Sequence, residues 1–171
     1  GDLLWDRKIQ IARGTNEFER LIDLNAPMTL RDNVVYVPGY QGFLTAVEAF
    51  TGQVLWQKEI SSFQQATNVD KTLFITDSDS NLIALEASSG DRRWQSEQLL
   101  YRRTSAPVHL GNTVLLTDLE GKLYALSAET AQVLAREKAG KAPVTLIATS
   151  KFVLTQDTKG KLIRWDLITQ D

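Results

Sequence analysis

No cysteine occurs among the 171 residues. That excludes a disulfide framework, a thiol nucleophile and a thiolate metal site. It is compatible with a reducing or an oxidising compartment, so it places the protein in neither. Histidine occurs once, as His109, and no second imidazole is present to give it ligand spacing. No apolar run approaches the roughly 20 residues that a membrane-spanning helix requires. Neither sign of charge dominates: 19 basic side chains face 21 acidic ones, for a net charge of −2. Nucleic acid as a partner is therefore not expected. A signal peptide is also missing. The chain opens at Gly1 inside what reads as a repeat, so a longer parent protein is expected, with any targeting segment outside this sequence. The hydrophobic share, 43%, is enough for a soluble globular chain of this length to bury a sizeable core.

What is present is a repeat. Gly42 to Trp56 reads GFLTAVEAFTGQVLW: a glycine turn, a five-residue strand pattern, a second turn at Thr51-Gly52, and a strand ending in tryptophan. Asn81 to Trp94 repeats it as NLIALEASSGDRRW, and Lys122 to Ala135 as KLYALSAETAQVLA. Lys161 begins a fourth copy, KLIRWDLITQD. Ala46, Ala84, Ala125 and Arg164 hold equivalent places, at spacings of 38, 41 and 39 residues.

Periods near 40 residues with four short strands each are the signature of β-propeller blades. The fold class is all-β: a β-propeller with four blades' worth of four-stranded antiparallel sheet. Blades are predicted over 26–60, 65–98 and 106–138, with a three-stranded partial blade over 142–168. Their strands are separated by turn residues such as Asp32-Asn33, Gln41-Gly42 and Thr51-Gly52. The missing outer strand has a counterpart at the other end. Gly1 to Trp5, GDLLW, copies Gly52 to Trp56, GQVLW, so residues 1–9 are expected to complete a blade. Two closures follow: Leu3–Ile9 pairs with Lys161–Leu167 in the same chain, or it does so in a second copy, giving a homodimer with two-fold symmetry.

Trp5, Trp56 and Trp94 each follow a turn on an outer strand, where a large ring can wedge between neighbouring sheets. The third copy departs from this pattern. Thr130-Ala131 replaces Thr-Gly and Ala135 replaces tryptophan, so that junction should be looser or filled by another side chain.

One segment stands outside the repeat. Trp5 and Trp56 are 51 residues apart, and the excess falls in Gln10 to Asn25, QIARGTNEFERLIDLN. Connections of this kind usually run 2–5 residues. Asn16 followed by Glu19 is a capping-box pattern, which predicts a helical turn or two over 17–22. In this segment Glu17, Glu19, Arg20 and Asp23 alternate with Phe18, Leu21, Ile22 and Leu24. Two readings stand side by side: apolar residues capping the scaffold beneath solvated charges, or a docking loop with an apolar centre and a charged rim.

Chemistry is harder to place. His109 reads as a packed or pore-lining histidine rather than a base or ligand. Asp77 and Asp79 lack the full oxygen set of a calcium loop. Arg92-Arg93 and Arg102-Arg103 read as solvated charge. No Ser-His-Asp set, phosphate-cradling glycine loop or carboxylate pair can be assembled. A non-enzyme without a cofactor or bound metal is the expectation.

The TGxxxW repeats resemble the quinoprotein-alcohol-dehydrogenase-like propeller family. Glu19 to Pro27, ERLIDLNAP, followed by NVVYVPGYQGFLTAVEAFTGQVLWQKEI, is similar to its outer-membrane branch, the propeller lipoproteins of the β-barrel assembly machinery. The resemblance covers essentially the whole chain, as the C-terminal half of an eight-bladed member. It implies a lipid-anchored scaffold at the periplasmic face of the Gram-negative outer membrane, its anchor outside this sequence. It implies as partner a POTRA domain of the BamA-type barrel protein, and unfolded outer-membrane protein strands as further partners. Partner-binding residues carried over by the resemblance are Arg20, Leu21, Asp23 and Asn25. Asp23 matches the first of two acidic positions, and Asn25 stands where the second is usually acidic. A family Leu-x-Leu-Arg patch would precede Gly1. Blade wedge angle in an eight-bladed family favours the homodimer over closure in one chain. The rival classes are a quinone-dependent dehydrogenase, whose vicinal disulfide this sequence lacks, and a generic periplasmic interaction module.

Overall fold

A computed structural model describes residues 1–9, 26–149 and 151–166. Fifteen strands are assigned among them, in four antiparallel sheets that follow chain order. The first sheet is β1 (Thr29–Arg31), β2 (Val34–Val37), β3 (Leu44–Glu48) and β4 (Val54–Lys58). The second is β5 (Thr67–Val69), β6 (Thr72–Thr76), β7 (Leu82–Glu86) and β8 (Arg92–Ser96). The third is β9 (Val108–Leu110), β10 (Thr113–Thr117), β11 (Lys122–Ser127) and β12 (Val133–Lys138). The fourth has three strands: β13 (Thr145–Ala148), β14 (Phe152–Gln156) and β15 (Leu162–Asp166). Residues 1–9 are described but lie in no sheet. The expected helical turn over 17–22 falls outside the described residues.

Turn chemistry explains why the chain reverses where it does. Between β3 and β4 the backbone closes with Gly52 N–H donating to the Glu48 carbonyl at 2.9 Å. The Glu48 carboxylate accepts from the Thr51 amide and hydroxyl, both at 2.6 Å. Gly52 then takes φ +68, a conformation that L side chains avoid. Gly90 repeats this at φ +70, and Ala131 holds the same left-handed place at φ +61. The turns before β11 and β15 use aspartate. One oxygen of Asp118 accepts from the amides of Glu120 and Lys122, and one of Asp157 from Lys159 and Lys161, all at 2.9 Å. The two turns share an Asp-x-x-Gly-Lys motif.

A β-bulge sits at the same place in the first and third sheets. Ala46 faces Trp56, but Val47 faces Val54, leaving Leu55 without a partner residue. Ala125 faces Ala135, and Leu126 faces Val133, leaving Leu134 so. Leu55 and Leu134 point to solvent, and Trp56, the residue after Leu55, is buried.

The chain forms two compact units, Gly1–Ser78 with Ile83–Arg93, and Asp79–Leu82 with Trp94–Asp171. In the first, Tyr36, Leu44, Ala46 and Trp56 meet Leu73, Ile75, Ile83 and Leu85 in one buried cluster. Trp56 is the wedge predicted from sequence: it is buried, its ring lies 5.9 Å from that of Tyr36, and its indole N–H donates to the Ala87 carbonyl at 3.0 Å. Burial of a ring this size removes on the order of 150–250 Å² from water. Gly90 is needed as well as tolerated, since a Cβ there would come within 2.7 Å of the Trp56 ring. In the second unit the core is Leu110, Leu115, Leu123, Ala125, Ala139, Val144 and Val153, with Trp165 packed against it.

Candidate functional site

The segment singled out for docking, Arg20, Leu21, Asp23 and Asn25 included, lies outside the described residues. Its two anchors are described, and both belong to one end of the first sheet. The N-terminal segment first packs at the other end of this sheet, on the β3–β4 turn, where Trp5 donates its indole N–H to the Ala49 carbonyl at 3.0 Å and its ring covers Gly52. Trp5 thus repeats against the first sheet what Trp56 does against the second. Gln57 then fixes the exit by donating to the Ile9 carbonyl at 2.7 Å and to the Thr45 hydroxyl at 3.1 Å. On the C-terminal side Ala26 is buried, Gln65 donates to the Met28 carbonyl, and the Thr29 hydroxyl donates to the Ala66 carbonyl at 2.5 Å.

That end of the sheet is cross-linked by backbone and side-chain hydrogen bonds. It carries the β2–β3 turn and the β4–β5 connection, joined by a parallel bridge between Gly39 and Ser61. Ser62 donates its amide to the Gly39 carbonyl at 3.1 Å, and its hydroxyl to the buried Thr76 carbonyl at 2.6 Å. Gln41 donates its amide to the Ser61 hydroxyl at 3.0 Å. On this platform Tyr40 stacks on Phe63, with ring centroids 3.9 Å apart and planes 20° from parallel. Phe63 is half exposed. The stacked pair was missed in the sequence because the two residues come from separate connections; the only signal was an aromatic in each of two turns.

The other candidates fall into structural roles. His109 sits in β9 opposite Val114, half-buried. Asp79 accepts the Tyr101 amide at its carbonyl, 2.7 Å away, as part of a turn. Arg93 bridges to Glu86 and donates to the Thr72 hydroxyl, and Arg102 pairs with Asp118 while covering the Tyr124 ring. Among the described residues no group of three or more His, Cys, Asp or Glu side chains could hold a metal ion.

Shifted ionisations have the same structural origin. Backbone amides, those of Lys141 first, hold the Asp157 carboxyl below its ordinary value. Thr51 does this for Glu48, Arg93 for Glu86 and Lys58 for Asp91. Burial raises the phenols of Tyr36 and Tyr124, the latter helped by its hydrogen bond to Asp118. Each shift is explained by a turn or a blade face.

Residues 1–96 match the family model described as outer membrane protein assembly factor BamB. The chain belongs to the BamB family. It is similar to BamB of Legionella pneumophila (strain Paris), with 31% identity over 160 residues, or 92% of this chain and 42% of that protein. It is 28% identical to BamB of Escherichia coli (strain K12) over 81% of this chain and 35% of that one. The crystal structure of BamB from Moraxella catarrhalis matches with a TM-score of 0.85 at 24% identity, covering 96% of this chain and 49% of that one. That likeness establishes the propeller-blade fold predicted from the repeat. The chain spans about four-tenths of the length of the curated relatives it matches.

Proposed function

We propose that this chain is part of a non-catalytic scaffold that assists assembly of β-barrel proteins at the periplasmic face of the Gram-negative outer membrane. Its docking element is the 10–25 segment, and its partner is a POTRA domain of the barrel assembly protein. Membership of the BamB family carries the assembly role. The pinning of both ends of that segment at one hydrogen-bonded end of the first sheet supports the docking role. Binding residues on a long connection held by a rigid frame is a common arrangement. Arg20 and Asp23 supply charge at the rim, Leu21 the apolar contact, and Asn25 a neutral hydrogen-bonding group where an acid would otherwise stand. Unfolded barrel strands and lipid anchoring of the parent protein belong to the same reading.

Titration of the folded chain with a POTRA array tests it. Asp23→Arg should weaken binding by about tenfold or more through charge reversal at the contact. Unchanged affinity in a mutant with a wild-type circular dichroism spectrum would remove Asp23 from the interface. Asn25→Asp should tighten binding if it restores a second acidic contact.

Self-association of the 171-residue chain is a further part of the proposal. Among the described residues β15 pairs only with β14, and Leu3 and Leu4 are both 82% exposed. An unpaired edge and exposed leucines of a strand-like segment favour pairing between two copies. Sedimentation velocity should give a concentration-dependent dimer; a monomer at high concentration would refute it.

A further inference from the structure

The internal repeat gives a standard for what fills the space between adjacent sheets, and one junction departs from it. In the first sheet Trp56 faces Ala46, which faces Tyr36 on the next strand. In the third sheet the same register places Ala135 opposite Ala125, which faces Leu115. The indole and the phenol of the first junction are both gone from the third-to-fourth one. Their place is partly taken from the opposite wall. Trp165 on β15, opposite Val153, packs against the buried cluster that the third and fourth sheets share and donates its indole N–H to the Thr155 hydroxyl at 2.8 Å. That hydrogen bond ties the ring to its own sheet, so Trp165 forms a wall and does not fill the space.

What is left is a cavity of about 720 Å³ between the third and fourth sheets, lined by Leu115, Leu123, Ala125 and Val153 at its floor and by Trp165 at its side. The floor residues are buried and apolar, while Ala135 and the rim residues Arg136, Glu137 and Asp166 are exposed. This volume lies within the ordinary range of small-molecule sites, and an apolar floor with a few polar groups at the mouth is their usual composition. Much smaller apolar cavities left by a deleted side chain take up aromatic molecules.

We propose that this cavity binds one flat aromatic ring of indole size, in the role that Trp56 plays for the first junction. The ring contacts the leucine and valine floor with one face or edge and lies against Trp165. Its polar edge looks toward the charged rim, as the Trp56 N–H looks toward the Ala87 carbonyl. The ring can come from a free aromatic molecule or from an aromatic side chain of a polypeptide, and the chemistry of recognition is the same. The proposal is independent of the docking segment at residues 10–25.

The test uses the whole chain and 5-fluoroindole followed by fluorine NMR. Saturable binding with a Kd on the order of 0.1–1 mM is expected for a ligand of this size. Ala135→Trp restores the repeat's own side chain. It should raise Tm by several degrees and weaken 5-fluoroindole binding at least tenfold. If Ala135→Trp does not fold, Ala135→Phe carries the same expectation. No saturable binding at several millimolar, or binding unchanged in a folded filled variant, overturns the proposal. A second arm compares short extended peptides bearing a central tryptophan or alanine. A tryptophan peptide that binds more tightly than 5-fluoroindole, with its alanine counterpart silent, identifies a polypeptide side chain as the source; one that binds no more tightly identifies a free molecule.

Discussion

At the scale of single residues, two of the junctions rest on a pairing of tryptophan with glycine. Trp56 requires Gly90, and Trp5 requires Gly52, because a Cβ at either glycine would strike the ring and the backbone is left-handed there. Gly90→Ala should therefore cost about 2–4 kcal/mol in urea denaturation, from the left-handed strain and the overpacking together. A loss below about 0.5 kcal/mol would mean that the ring is not wedged as described. Ala131 holds the same left-handed turn without being glycine. Ala131→Gly should stabilise by about 0.5–1 kcal/mol, since it relieves that strain. The carboxylates give a third expectation. Asp157, Asp91, Glu86 and Glu48 are all held below their ordinary values of 3.8 for aspartate and 4.5 for glutamate. A depressed folded-state value means stability that is full above the unfolded value and lost as pH falls through the folded one. Tm should be level from pH 7 to about pH 5 and fall below about pH 4; a Tm that held or rose down to pH 3 would show that these hydrogen bonds add nothing.

At the scale of elements, the strands were legible because each is short, alternating or continuously apolar, and bounded by turn residues. Val34–Val37, Thr72–Thr76 and Thr113–Thr117 announce themselves in this way. The bulges were not legible. Counting by twos from Val54 assigns Leu55 and Trp56 to opposite faces but gives no sign that Leu55 has no partner residue on β3. The weak third junction was visible at Ala131 and Ala135, yet its compensation was not, because Trp165 reaches that space from a different strand. Residues 1–9 illustrate the opposite case. GDLLW copies an outer strand, and Trp5 packs as an outer-strand tryptophan should, but the segment lies in no sheet. Periodicity specifies a side chain's place against its neighbour sheet and does not specify hydrogen-bonded pairing.

At the scale of the molecule, repeat length led to the architecture and the family, while the candidate site was legible only as an interruption. The excess between Trp5 and Trp56 marks the 10–25 segment, and the described anchors at Ile9, Ala26 and Thr29 give its exit and re-entry. The Tyr40–Phe63 stack at the same end needed the fold to bring two connections together. Hydrogen–deuterium exchange of the chain with and without a POTRA array tests the docking claim most directly. Protection is expected in peptides covering Glu19 to Pro27, with weaker protection at 38–43 and 59–66. Saturated binding with no protection in Glu19 to Pro27, or with protection confined to β13–β15, would contradict it.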